Sequence, residues 1–520
     1  MRRFAVLLAT AALAGCSLAP KYVRPEAPVP PSWPVGDAYL RTQEAALPAV
    51  SYRDIFRDSR LQTIIAQALA NNRDLRIAAA NIAAARAQYR IQRANQLPQV
   101  DVSARYGYSG GGSGVSTTGT GTGTGTGNGN GNGNGSTPGT GTDPGTGTNP
   151  ETGAGGTTVI TSSGSRSSFS TDIGITAFEL DLFGRLRSLT EAEQNRYFAT
   201  EAAARTTRLT LVGDLADAWL QYAADRSLLT IAEQTATSAQ RSVSLTRARL
   251  QGGIAPRTDL RQAEQVLATA QSDLAEQRTA LAQDVNLLRL LVGAEIDPAL
   301  LPASIEEASL TVAQLPAGLD SSVLLRRPDI VQTEYELRAA NAEIGAARAE
   351  LFPRISLTGV LGLASDTLTS LFTGDAFNYS AGLGAAYPIF RAGAGRATVA
   401  LTQAQRDAAV ANYERAIQIG FREVADGLAR SGTLAEQLRA DTLNVEAAAD
   451  TFRLTDARYR GGIDTFLTSL DAQRSLYTAQ RTLVTTRLVG ANNRVTLYQA
   501  LGGDATLDAT PNGPVPTGAR

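Results

Sequence analysis

Hydrophobic residues recur every three or four positions along two long stretches of the chain. The stretches Arg185–Gln251 and Arg396–Tyr459 contain no proline, and apolar residues from Ile417 to Leu428 step by four, three and four. This spacing places them on one face of an α-helix. At 1.5 Å per residue, each stretch predicts a helix about 100 Å long.

Shorter helices are predicted on both sides of each long one. Those that follow, Pro256–Leu291 and Thr465–Leu501, would each be about 55 Å long. Those that precede, Asp74–Gln96 and Asp329–Leu351, would each be about 35 Å long. Two short helices stacked end to end therefore match one long helix, which predicts antiparallel hairpins whose outer arm has two pieces.

Four other segments alternate between apolar and polar residues, as β-strands do. In the first, Val100 and Val102 share one face, whereas Asp101 and Ser103 share the other. The strands are predicted at about 98–108, 169–182, 354–364 and 377–390. The second changes phase around Phe178, which predicts a bulge. Strands of about ten residues with aromatic ends are typical of a transmembrane β-barrel, with a half-buried soluble sheet as the alternative.

The chain contains one unit written twice. Ala248-Arg-Leu-Gln-Gly-Gly-Ile254 recurs as Ala457-Arg-Tyr-Arg-Gly-Gly-Ile463, and Leu215-Ala-Asp217 matches Val424-Ala-Asp426 in the same register. We predict a first repeat over 53–300, a connector over 301–328, a second repeat over 329–503 and a C-terminal tail over 504–520. A repeat of this length predicts two structurally equivalent halves.

Four strands cannot close a barrel, and an open sheet edge in lipid would leave backbone groups without hydrogen bonds. A barrel would therefore be shared, with eight, twelve or sixteen strands from two, three or four chains in cyclic symmetry. The predicted fold class is mainly α with β. It combines a shared transmembrane β-barrel, four strands per protomer, with a long coiled-coil-like α-helical barrel.

The beginning of the chain has the features of a lipoprotein signal. Two arginines precede an apolar run too short to span a bilayer, and the run ends in Leu13-Ala-Gly-Cys16. Cys16 is the only cysteine, which excludes disulfides and predicts its acylation; an ordinary signal peptide with an incidental Cys is the alternative. We predict a signal peptide over 1–15 and a lipid-anchored tether over 16–52, extended at Pro25–Pro34.

The segment between the first two strands, about 109–167, is a run of Gly, Thr, Ser and Asn. This composition cannot form a core and predicts a disordered, solvated loop. A phosphate-binding loop is excluded because no Gly-x-Gly-x-x-Gly opens a helix and no Gly-Lys-Ser/Thr is present.

Composition narrows the function further. The chain has no histidine, so His-dependent nucleophiles and His-ligated metal sites are excluded. The net charge is −1 with both signs interspersed, which gives no indication of nucleic acid as a partner. No catalytic motif is present. We therefore expect no enzyme activity, no cofactor and no metal.

Three features together resemble the outer membrane factor family, in particular the lipoprotein branch of OprM and NodT, with TolC as a distant relative. They are the duplication, the segment Ala19-Pro-Lys-Tyr-Val-Arg-Pro25, and the pair Arg460-Gly-Gly-Ile-Asp464 and Leu470-Asp-Ala-Gln-Arg474. The resemblance implies a homotrimer whose twelve-stranded outer-membrane barrel continues into a twelve-helix periplasmic barrel. It also implies a periplasmic adaptor protein and an inner-membrane pump of the RND or ABC type.

The resemblance implies a gate at the turn of the second copy, where acidic residues would face the three-fold axis. The gate residues implied are Asp464, Leu467, Asp471 and, as an ion-pair partner, Arg474. The first copy has Ala255 and Gln262 at the positions of Asp464 and Asp471, so a carboxylate ring would have three members, not six. Carboxylate rings select cations. Without the resemblance, these residues would be interpreted as solvated helix faces.

The resemblance also implies that the turns contact the adaptor. The tip residues implied are Gly253, Thr258, Asp259 and Gly462. Ordinary turn chemistry explains the two glycines equally well, since glycine is the default residue at such a bend.

The leading functional hypothesis is an efflux exit duct in the cell outer membrane, lipid-anchored and with a large periplasmic portion. The exit duct of a type I secretion system is an alternative on the same fold. A non-channel envelope scaffold of the coiled-coil type is the third hypothesis.

Overall fold

The computed structural model describes residues 18–34, 51–109, 166–313 and 320–517. Its helices are α1 Tyr52–Ile55, α2 Ser59–Asn71, α3 Arg73–Ala94, α4 Arg185–Gln251, α5 Arg257–Val292, α6 Ile305–Leu310, α7 Pro328–Ala349, α8 Ala394–Arg460 and α9 Phe466–Ala500. Its strands are β1 Asp101–Ser109, β2 Arg166–Leu180, β3 Arg354–Ser365, β4 Phe377–Ala386, β5 Leu507–Thr510 and β6 Gly513–Pro516.

The long helices α4 and α8 have 67 residues each. Each begins after a glycine in the left-handed region, Gly184 or Gly393, and each ends immediately before a Gly-Gly pair. The helices that precede them, α3 and α7, have 22 residues each. Proline-free interiors explain the unbroken length, and the matched lengths confirm the duplicated fold.

The main hydrophobic core joins α2, α4 and α9. Trp219, Leu215 and Tyr498 lie in it with almost no exposed surface. The indole N–H of Trp219 donates to the carbonyl oxygen of Leu300 at 3.1 Å, so its one polar group is satisfied. Each such side chain contributes about 1.5–3 kcal/mol by burial.

The four strands β1 to β4 form one sheet in sequence order. Strands β1 and β2 are antiparallel, with Asp101 opposite Gly174 and Tyr106 opposite Phe169. Apolar side chains such as Val102 and Leu383 are exposed on the single chain. The predicted mainly helical fold with four long strands is therefore confirmed. Next to Phe178, where the sequence predicts a bulge, Ala177 lies in the left-handed region with a φ of 56°.

The helices and the sheet are separate compact units, and the sheet unit comprises Pro98–Phe178 and Ser356–Gly384. In the described ranges, no helix combines the length and the hydrophobicity needed to cross a membrane. The predicted signal peptide, Cys16 and most of the low-complexity loop lie outside the described residues.

Two terminal segments differ from the sequence expectation. The predicted tail contains the β5–β6 hairpin, which packs on α4 and α7. The hydroxyl of Tyr335 in α7 donates to the carbonyl oxygen of Thr510 at 2.8 Å and accepts from the Thr510 N–H at 2.9 Å. Within the predicted tether, Leu18–Pro34 is extended but packs against helices, with the ring of Trp33 stacked on Phe421 at 4.8 Å.

Candidate functional site at the hairpin turns

The two hairpins have the same turn geometry. Gly253 and Gly462 follow α4 and α8 by two residues and have φ values of 76° and 78°. The N–H of Ile254 donates to the carbonyl oxygen of Arg249 at 3.0 Å, and that of Ile463 donates to Arg458 at 2.9 Å. A left-handed residue at this place closes a helix end, and glycine occupies that conformation without strain. Both sequence-predicted glycines are therefore structurally required.

Asp464 is bound on the second turn by a residue that sequence analysis did not select. Arg458 donates to its carboxylate through Nε at 2.6 Å and Nη2 at 3.0 Å. This hydrogen bonding to Arg458 lowers the pKa of the Asp464 carboxyl below its ordinary value. The two side chains meet because the chain reverses direction between Arg458 and Asp464.

The corresponding arginine of the first turn makes a different contact. Arg249 occupies the position of Arg458, but Ala255 replaces Asp464 there. Its Nη2 donates to the carbonyl oxygens of Tyr459 at 2.9 Å and Arg460 at 3.0 Å. Its guanidinium also lies 4.4 Å from the centroid of the Tyr459 ring. Arg249 therefore joins the first hairpin to the end of α8 in the second.

The other three predicted gate residues lie on one exposed ridge of α9. Leu467 and Arg474 line a groove of about 430 Å³ between α9 and α5, and Asp471 lines a second groove of about 370 Å³ facing α8. Among the described residues of the single chain, neither Asp471 nor Arg474 has an ion-pair partner. Their charges are therefore open to groups from outside this chain.

The predicted tip residues lie at the two hairpin turns, three at the first and one at the second. Gly253, Gly462 and Thr258 are exposed, and Asp259 is half-exposed. Space is open around both glycines, because no atom lies within 4 Å of where a Cβ would stand. Asp259 lies in the first turn of α5, where a carboxylate is favoured by the helix dipole.

The residues missed by sequence reasoning were Arg249, Arg458 and Tyr459. The two arginines occupy the same position of the repeat, six residues before Ala255 and Asp464. Comparing these positions between the two copies would have shown that the same arginine faces an alanine in one turn and a carboxylate in the other. Tyr459 had no such signal, because its role depends on the packing of two hairpins.

Comparison with known proteins identifies similar chains along nearly the whole length. A family model described as outer membrane efflux protein matches residues 64–294 and 319–503. The toluene efflux pump outer membrane protein TtgC of Pseudomonas putida is 41% identical over 493 residues, covering 94% of this chain and 93% of that protein. The cation efflux system protein CusC of Escherichia coli is 36% identical over 494 residues, covering 95% and 97%.

Solved structures are similar as well. A crystal structure of CusC matches with a TM-score of 0.75 and 34% identity, covering 94% of this chain and 100% of that one. The open state of the MtrE outer membrane channel of Neisseria gonorrhoeae matches with a TM-score of 0.75 and 29% identity, covering 95% and 100%.

Proposed function

The chain belongs to the outer membrane efflux protein family, and from this premise we propose that it is the outer-membrane exit duct of a tripartite efflux system. It would conduct substrates delivered by an inner-membrane pump and a periplasmic adaptor. The family is one of channels rather than enzymes. We propose that the chain itself catalyses no reaction.

An uncovered helix face carries the proposal. Helix α7 packs between α4 and α8, whereas its counterpart α3 packs on α4 and has no buried residue. Ile77 and Ile91 of α3 are 57% and 60% exposed, and α8 exposes Leu401 and Leu443. By the internal repeat, α8 of a neighbouring copy would cover α3 as α8 covers α7. Such head-to-tail contacts close into a ring.

Three copies, the number implied by the outer membrane factor resemblance, would supply twelve strands. The shared barrel would have no open edge, as a membrane-spanning sheet requires. The exposed apolar side chains of β1 and β4, such as Val102 and Leu383, would then face lipid. We propose Cys16 as the site of lipid attachment on each copy.

The gate would be formed by the second hairpins. In each copy Asp464 is neutralised by Arg458 at 2.6 Å, whereas Asp471 is exposed and has no partner among the described residues. A ring of three Asp471 carboxylates would attract cations, and Arg474 of a neighbouring copy would be a suitable ion partner. Contacts such as Arg249 to Tyr459 would hold the hairpins together in the closed state.

The adaptor protein would bind at the two hairpin turns. We propose contacts at Gly253, Thr258, Asp259 and Gly462, which are exposed or half-exposed at the two turns. The glycines have open space around them, so a partner's backbone could approach closely.

Substrate selection would lie upstream of this chain. Relatives that are 41% and 36% identical bear names that refer to toluene and to cations. Such different cargo for similar ducts supports a passive conduit. The efflux names also favour efflux over type I secretion.

Two measurements test the proposal. The purified protein should run as a trimer on a native gel and give discrete channels in planar lipid bilayers. Ile91→Glu should reduce both, because it would bury a carboxylate between copies. Leu310→Glu, at a position 83% exposed on α6, is the control and should change neither. Absence of conductance from the unsubstituted trimer would rule out the duct, and an unaffected Ile91→Glu trimer would rule out the proposed ring contact.

The system is tested in cells. A strain without the gene should become more susceptible to solvents or antibiotics. If the strain instead stopped secreting a protein into the medium and its susceptibility were unchanged, the result would indicate type I secretion.

A further inference from the structure

The described N-terminal segment lies along α7 in a matched register. We call residues Leu18–Arg24 the strap. Arg348 donates to the carbonyl oxygen of Leu18 at 3.1 Å, and Asn341 donates to that of Pro20 at 2.7 Å. Arg24 pairs with Glu334 at 2.7 Å. The six steps from Leu18 to Arg24 span about 20 Å in an extended chain, and the fourteen steps from Glu334 to Arg348 span about 21 Å along a helix. The strap therefore runs antiparallel to α7, and its extended length matches that of the helix segment it contacts.

Glu334 is the centre of these contacts. Its side chain is only 1% exposed, and it is bound by Arg24 and by Arg338, each at 2.7 Å. The hydroxyl of Tyr22 donates to the same carboxylate at 3.3 Å, and the Arg338 guanidinium lies 4.9 Å from the Tyr22 ring centroid. A carboxylate buried this deeply is costly unless it is paired. The strap therefore supplies two of the three groups that compensate Glu334.

Gly345 of α7 leaves the space in which Ala19 of the strap packs. A Cβ added at Gly345 of α7 would lie 2.7 Å from the Cβ of Ala19 and 2.8 Å from its backbone nitrogen. It would also lie 2.7 Å from the hydroxyl oxygen of Ser188 on α4. Any larger residue at 345 would displace the strap. Close approach to α7 thus depends on glycine as well as on the charge of Glu334.

The first repeat lacks all of these features. Helix α3 has the same length as α7, and its residues correspond to those of α7 at an offset of 255. The counterparts of Glu334, Arg338 and Gly345 are Ala79, Ala83 and Arg90. Helix α3 therefore has neither the buried carboxylate nor the space beside a glycine that the strap requires. The binding surface is therefore specific to the second repeat, although the two helices are otherwise equivalent.

From this difference we propose that α7 carries a dedicated intramolecular binding site for an extended segment bearing Tyr and Arg, centred on Glu334. The site directs the N-terminal segment to the second repeat and not to the first. It fixes the course of the strap along α7, so that each copy positions Leu18–Arg24 in one way. The inference does not depend on the proposed channel function.

The experiment uses Lys21, the only lysine of the chain and an exposed residue of the strap. An amine-reactive fluorophore on Lys21 of the purified full-length protein reports strap mobility through its anisotropy. Lys21→Arg measures any signal from the α-amino group, which is subtracted. The docked strap should give high anisotropy. Glu334→Ala and Arg24→Ala should each lower it towards the value of a flexible tether, and Arg24→Lys should restore most of it.

Matched controls separate docking from general damage. Glu343→Ala removes another α7 carboxylate, which pairs with Arg196 and does not contact the strap, and should keep the anisotropy high. Arg24 is 40% exposed on the strap, so Arg24→Ala leaves the helices intact even where Glu334→Ala disturbs folding. Unchanged anisotropy in Arg24→Ala, with circular dichroism equal to that of the unsubstituted protein, would overturn the proposal.

Discussion

Arg249 of the first hairpin binds Tyr459 of the second, donating to its carbonyl oxygen at 2.9 Å with the guanidinium 4.4 Å from the ring centroid. The equivalent Arg458 pairs inside its own hairpin with Asp464. The difference arises because the first copy has Ala255 where the second has the aspartate. One side-chain difference between the repeats thus converts a contact within a hairpin into a contact between hairpins.

We predict that Arg249→Ala raises the basal conductance of the trimer in planar bilayers. The substitution removes hydrogen bonds from a charged donor to two carbonyls, and such bonds are worth about 1.5–3 kcal/mol when buried and less at this half-exposed tip. Arg458→Ala is the matched control. It removes an exposed ion pair, which solvent screens, and should have a smaller effect. Equal conductance in Arg249→Ala and unsubstituted protein would exclude Arg249 as a closed-state contact.

The carboxylate ring is tested by Asp471→Ala. Loss of three charges at the constriction should raise basal conductance and reduce preference for cations, because the negative field is removed. Gln262→Ala, at the equivalent position of the first repeat, should change little. Wild-type conductance and ion selectivity in Asp471→Ala would show that the gate lies elsewhere.

Stability should depend on pH through Asp217 in α4. Burial, followed by the charge of Asp214, raises the pKa of its carboxyl from 3.8 to about 7. The contribution of Asp217 to the free energy of unfolding is therefore largest below pH 4. It is lost as pH rises through 7, because the unfolded chain ionises first. Asp217→Asn should unfold several degrees higher than the unsubstituted protein at pH 8, but not at pH 4. The exposed Asp426→Asn is the control; a Tm difference independent of pH would contradict the assignment.

Lipid attachment is tested by Cys16→Ser. The variant should be exported without incorporating labelled fatty acid, because the chain has no other cysteine. Part of it should still insert, since the shared barrel spans the membrane independently of the lipid. Ser17→Ala serves as the control and should label normally. Undiminished label in Cys16→Ser would exclude acylation at this residue.

The low-complexity loop is predicted to be dispensable. Deletion of Gly114 to Gly156 should leave trimer formation and conductance unchanged, since Gly, Thr and Asn runs contribute no packing. An unheated gel and a bilayer recording measure both properties. A deletion of equal length inside α4 is the positive control for damage. Loss of the trimer in the loop deletion would show a structural role.

Much of the helical architecture could be predicted because its signal is local. A proline-free run with apolar residues at helical spacing specifies a helix without reference to other segments, and the Gly-Gly pairs mark where each long helix ends. Contacts between residues on the two sides of a turn were harder to predict from the sequence. Arg458, which binds Asp464, was not identified from the sequence, because the contact depends on the left-handed Gly462, which returns the chain past the end of α8.

Terminal segments were the least predictable. Residues around Trp33 and Thr510 have no periodic pattern, and their positions depend on tertiary partners far away in the sequence, Phe421 and Tyr335. A Pro-rich composition predicts extended chain correctly, but it carries no information about which surface the chain lies against.

The first and the last described segments of the chain contact the same helix. Tyr22 and Arg24 reach Glu334 of α7, while the adjacent Tyr335 binds Thr510 of the C-terminal hairpin. Synthesis proceeds from the amino terminus, so Thr510 is made 175 residues after Tyr335. Helix α7 cannot acquire its full set of neighbours until Gly513–Pro516 has been synthesised. Packing around α7 is therefore completed only after this hairpin has been synthesised, and a nascent chain interrupted before Leu507 leaves it unfinished.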